Sequence, residues 1–214
     1  MNGLMDDLRI LFVQSLRAPQ EAARQLIAMG LPMQARWLGF ALATVLSLVL
    51  VKLSLATLPV GELSEEGLQT ADPFTIRFVM EYARLMNTPV ASVLIQAGSI
   101  LVLVGAVGFG GRLFGGHGRL ADALLLTVWL DLMMSVFVAA QLLLLFALPP
   151  AAILLSYVAK VFFIWLLVNF TAALHGFKNL FAVLGGMIAI FALVVVVLGV
   201  ILAILGVTPP EGSI

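Results

Sequence analysis

The chain has 214 residues, of which 63% are hydrophobic and 10% charged, with eleven basic and eleven acidic side chains and no cysteine. That composition leaves too little polar surface for a soluble domain of this size. The missing thiols exclude disulfides, thiolate nucleophiles and cysteine metal sites.

Residues 1–36 read as an amphipathic cytoplasmic segment. Leu4, Leu8, Leu11, Phe12 and Ser15 recur at helical spacing, with Asp6, Asp7 and Arg9 elsewhere around the turn. After a break at Ala18-Pro19, Ala22, Ala23, Leu26 and Ile27 form a second stripe, which Gly30-Leu31-Pro32 ends. Two short helices in the membrane interface are predicted, as a plain anchor or as a docking or curvature-sensing surface.

Five apolar runs follow, at about 37–58, 89–111, 121–148, 150–174 and 181–206. Each reaches the roughly 20 residues needed to cross a bilayer core. The first starts near Trp37, too late and too long for a secretory signal, so it is expected to stay in the mature protein. The predicted fold is all-α, a polytopic five-transmembrane-helix bundle over 37–206 with short amphipathic interfacial helices and a tail at 207–214. Between the first two runs, Asp72-Pro73 precedes Phe74, Phe78, Tyr82 and Leu85 on one face. This predicts an outer interfacial helix near 72–86 that shields the tops of the spans or meets a partner.

Five crossings put Arg9, Arg17, Arg24, Arg36, Arg112, Arg119 and Lys178 on one side, against Lys52, Arg77 and Arg84 on the other. The positive-inside rule then places the N-terminus in the cytoplasm and the C-terminus outside.

Asp131 and Lys160 are the two intramembrane ionisable residues that no helix end explains, and each costs about 2.5–3.5 kcal/mol at mid-membrane. Spans three and four form a hairpin with its apex at Pro149-Pro150. In that register Asp131 is level with Val168 and Asn169, and Lys160 with Ala139 and Ala140. The offset is about 12 Å, too long for a direct Asp131–Lys160 pair. Asn169 is therefore the expected neighbour of Asp131, and Lys160 is left to Gln141, another span or snorkelling. These four serve as glue between helices or, alternatively, as a proton or ion relay.

Glycines cluster at Gly105, Gly108, Gly110, Gly111, Gly115, Gly116 and Gly118. No complete dinucleotide or Walker pattern appears and no strand precedes them, so the reading is a flexible loop and close helix approach. Gly185, Gly186, Gly199 and Gly206 are expected to mark close packing of the last span. His117 and His175 fall at the cytoplasmic edge with only Asp122 in that loop, too few ligands for a metal site. No Ser–His–Asp spacing or paired intramembrane carboxylate is present. No catalytic residue, metal or cofactor is assigned.

The stretch Ser15-Leu16-Arg17-Ala18-Pro19-Gln20-Glu21-Ala22-Ala23-Arg24 is followed by Leu31-Pro32, then Arg36-Trp37 at the first span. Gly115-Gly116-His117-Gly118-Arg119-Leu120-Ala121-Asp122-Ala123 leads into the third. With five spans, this order resembles a bacterial member of the Yip1 family, of the type found in alphaproteobacteria. The resemblance implies a fold and a location, the bacterial cytoplasmic (inner) membrane, and no catalytic residues. Eukaryotic relatives bind Rab GTPases and help vesicle traffic, but their Asp-Leu-Tyr-Gly-Pro motif is absent here, so no Rab GTPase is expected.

Two functions follow. One is a non-enzymatic scaffold or accessory subunit that binds another integral membrane protein, or itself, or organises the bilayer. The alternative is a small-solute or ion permease with Asp131 and Lys160 in a transmembrane path. Beyond lipid and protein no partner is expected, and no nucleic acid.

Overall fold

A computed structural model describes residues 2–57 and 84–204. Among these residues, seven helices follow in chain order: α1 Asn2–Arg17, α2 Pro19–Ala28, α3 Met33–Thr57, α4 Pro89–Leu113, α5 Leu120–Ala147, α6 Pro149–His175 and α7 Leu180–Ile204. The molecule is all-α, and α3 to α7 are long and apolar enough to cross a membrane. The helix expected near 72–86 lies outside the described residues apart from its last turn, where 84–87 are helical. The 207–214 tail lies outside them as well.

Local chemistry sets the boundaries. Pro19, Pro89 and Pro149 each open a helix, a place where the missing N–H costs nothing. At the other ends glycine takes over. Gly115 has φ +83° and Gly176 φ +74°, left-handed values that a side chain resists. Around Gly115, the Gly116 N–H returns to the Gly111 carbonyl and the Gly115 N–H to that of Arg112, a Schellman closure of α4. The Gly176 turn closes α6 the same way, with the Phe177 N–H on the Ala172 carbonyl. The first span starts earlier than its hydropathy shows. The Arg36 N–H already bonds the Pro32 carbonyl, so Arg36 lies inside the first turn of α3.

Helix α5 is the hub, packed against α2, α3, α4 and α6. Its Leu126, Leu130 and Met133 are buried with Leu166 and Phe170 of α6. Leu11, Ala22, Ala23 and Leu26 join this same core. The core therefore sits at the end of the bundle that carries α1 and α2, called the N-terminal end below. The far half of α6 turns a broad apolar face outward, with Ile153, Leu154, Tyr157, Val158 and Val161 exposed. Helix α7 packs against α4 and α6 and is the most exposed of the five. Such outward apolar faces cost nothing in lipid, where hydrophobic burial does not drive helix association.

Candidate functional site

The mid-membrane polar residues pair differently from the hairpin register. Asp131 accepts a hydrogen bond from Ser47 Oγ of α3. Ser135 Oγ lies 3.3 Å from Ser47 Oγ and donates to the Asp131 carbonyl at 3.0 Å. Ser47 and Ser135 are both buried. Asp131 thus belongs to the α3–α5 seam, and the expected Asp131–Asn169 neighbourhood is corrected. Asn169 is buried elsewhere: its Oδ1 accepts from Gln20 Nε2 at 3.1 Å, and its Nδ2 donates to the Trp165 carbonyl at 2.8 Å. Register along one hairpin gives depth but not azimuth, and the azimuth turns Asp131 toward α3.

Lys160 takes neither partner. It is exposed on α6, with its Nζ 5.1 Å from the centre of the Tyr157 ring one turn away. A cation over an aromatic face at that distance gains on the order of 1 kcal/mol, less than mid-membrane placement costs. Lys160 lies eleven residues from Pro149, about 16 Å along the helix. That is beyond the reach of a four-carbon stem seeking the nearer interface. Gln141 is half-buried near the far end of α5. The ionisable pair therefore sits on two different surfaces, one inside the α3–α5 seam and one facing outward.

The N-terminal end carries three latches that the sequence reading did not assign. The first is an ion pair: Arg36 Nη1 meets Asp122 Oδ1 at 2.7 Å, with side chains only 9% and 10% exposed. Arg36 Nε also donates to the Leu31 carbonyl at 2.9 Å. The pair bolts the start of α3 to the start of α5. One signal was available, since spans one and three begin on the same side with opposite charges in their first turns.

The second latch is His175. The Gly118 N–H donates to its Nδ1 at 3.0 Å, which leaves the proton on Nε2, 2.9 Å from the Val107 carbonyl. Both ring nitrogens are thus satisfied by backbone. A Cβ on Gly111, Gly116 or Gly118 would overlap the imidazole. The glycine-rich loop is therefore a close mould around one buried side chain rather than slack. Arg112 closes it further through Nε to the Gly118 carbonyl at 2.9 Å.

The third latch holds the amphipathic hairpin. Trp129 Nε1 donates to Ser15 Oγ at 2.9 Å, and Gln20 bonds Asn169 as above. Trp129 lies about 13 Å into α5 and Asn169 about 9 Å from the end of α6. Helices α1 and α2 are therefore seated against the flank of the bundle, with Ala22 and Ala23 fully buried.

Among the described residues, no group of three or more His, Asp or Glu side chains stands close enough to hold a metal. The apolar spans and their polar seams define a multi-pass membrane protein. The family model described as the Yip1 domain matches residues 13–204, from within α1 to the end of α7, so the chain belongs to the Yip1 family. That family is not a known enzyme family. No curated protein and no solved structure matches the chain.

Proposed function

We propose that this protein is a non-enzymatic accessory subunit or scaffold that holds another integral membrane protein against the outward face of α6. The carrying observation is Lys160, a charge halfway along a membrane span on an exposed apolar face. An intramembrane charge needs a partner. The complementary group is a carboxylate on a transmembrane helix of another subunit, or of a second copy, at the same depth. Tyr157 beside it supplies an amphipathic anchor of the kind enriched in binding hot spots.

The permease alternative drew on Asp131 and Lys160 lining one path. Asp131 is hydroxyl-bonded inside a helix seam and Lys160 faces outward, so their placement gives that reading no support. The host membrane is a bacterial cytoplasmic membrane with the N-terminus inside. Its support is the sequence resemblance and the excess of Lys and Arg at the N-terminal end. Alkaline phosphatase fused after residue 204 should be active, and fused within 113–119 inactive.

The direct test is the mass of the native complex extracted from source membranes. Wild type and Lys160→Arg should run as the same assembly, and Lys160→Gln should shift to the single chain. An unchanged mass for Lys160→Gln contradicts the proposal.

A further inference from the structure

A cleft of about 860 Å³ runs between α4, α6 and α7. Its walls are apolar along most of their length, from Val102 and Ala106 on α4 to Ala182 and Val194 on α7. Gly110 lets Ile190 approach α4, and Gly186 lets Phe114 approach α7, so the two helices meet closely near the N-terminal end. Past and including this neck, the cleft follows α7 from Ala182 to Leu198, about 24 Å. That exceeds the half-thickness of a hydrocarbon core of about 30 Å.

Ser99, toward the far end, spends its hydroxyl on the Gln96 carbonyl within α4, and the other polar groups of the lining lie at one end. Lys178 is exposed at the mouth, beside Asn179, whose Oδ1 accepts the Phe181 and Ala182 N–H groups at the start of α7. Deeper in, Thr171 is 3% exposed and lines the cleft. Among the described residues, its Oγ1 is the buried side-chain polar atom without a hydrogen-bond partner. Buried hydroxyls without partners are uncommon and costly. Thr171 lies four residues, about 6 Å, inside the end of α6. That depth equals the headgroup layer on one side of a bilayer, about 5–7 Å.

We infer that this cleft is a binding site for one anionic glycerophospholipid, with its phosphate on Lys178, an ester carbonyl accepting the Thr171 hydroxyl, and an acyl chain along α4 and α7. The order of groups along the cleft is the order of groups along such a lipid: cation, hydroxyl donor, long apolar wall. Basic pockets between transmembrane helices recognise anionic headgroups in this way. A transmembrane helix of a second copy fits less well, because it offers no free acceptor to Thr171: its backbone carbonyls are already bonded within the helix. This site is separate from the Lys160 face.

The test uses the full chain, purified and delipidated in detergent, with equal palmitoyl-oleoyl phosphatidylglycerol and phosphatidylcholine added. Bound lipid is counted by native mass spectrometry. Wild type should retain one phosphatidylglycerol per chain, preferred by about tenfold, equivalent to about 1.4 kcal/mol. Lys178→Glu should erase the preference, Lys178→Arg should keep it, and Thr171→Val should lower retention severalfold. Ala182→Trp, which fills the cleft, should abolish retention of either lipid. Equal retention of both lipids by wild type overturns the inference without any variant. So does phosphatidylglycerol retention unchanged in both Lys178→Glu and Ala182→Trp, or a wild-type dimer that Ala182→Trp dissociates in place of lipid loss.

Discussion

Arg36 and Asp122 show how far a single residue's role depends on its neighbour across the fold. Each is an ordinary charge at a span boundary, yet together they form a buried pair at 2.7 Å. Removing one member leaves an uncompensated buried charge, so Asp122→Ala should lower unfolding free energy by about 3–5 kcal/mol in mixed-micelle denaturation. The double variant Arg36→Met with Asp122→Leu should recover most of that loss. The glycines make the complementary point. Gly116→Ala drives a Cβ into the His175 ring and should cost about 1–3 kcal/mol by overpacking. Gly98→Ala meets nothing within 4 Å and should be neutral or slightly stabilising in the same assay. The sequence showed both glycines equally well. It could not show which one faces a buried imidazole, because that contact joins residues far apart in the chain.

Among the elements, the spans were the most legible, because a hydrophobic run and its proline and glycine punctuation are local properties. Pro89 and Pro149 sit at helix starts, where the sequence placed the boundaries, and the fourth run, expected to end at 174, ends at His175. The start of α3 was less legible, since Arg36 hides inside its first turn. The partner of Asp131 was also missed. Hairpin register fixes depth, whereas the direction a side chain takes around α5 depends on which helices pack beside it. The stripe of Ala22, Ala23 and Leu26 was read as an interfacial face, and it is buried against the flanks of α5 and α6. That seating makes α1 and α2 part of the folded unit. Trp129→Phe, which removes the bond to Ser15, should cost about 0.5–1.5 kcal/mol. It should also speed proteolysis between Arg17 and Arg24 in proteoliposomes, while cleavage in the 113–119 loop stays unchanged.

At the scale of the whole molecule, the bundle is asymmetric. Its N-terminal end is stapled by an ion pair, a moulded histidine and a docked hairpin. Its outward faces on α6 and α7 are apolar and lightly buried. A rigid end and two open faces suit a protein that presents surfaces to membrane neighbours, with Lys160 on one and the α4–α7 cleft beside the other. The most direct test of the partner-binding claim is site-specific photo-crosslinking from Val161, next to Lys160, in native membranes. A single discrete adduct with an integral membrane protein or a second copy is predicted. It should be retained in Lys160→Arg, lost in Lys160→Gln, and map on the partner to a helix bearing a mid-span carboxylate. Crosslinks to lipid alone, or an adduct indifferent to the charge at residue 160, would contradict the account.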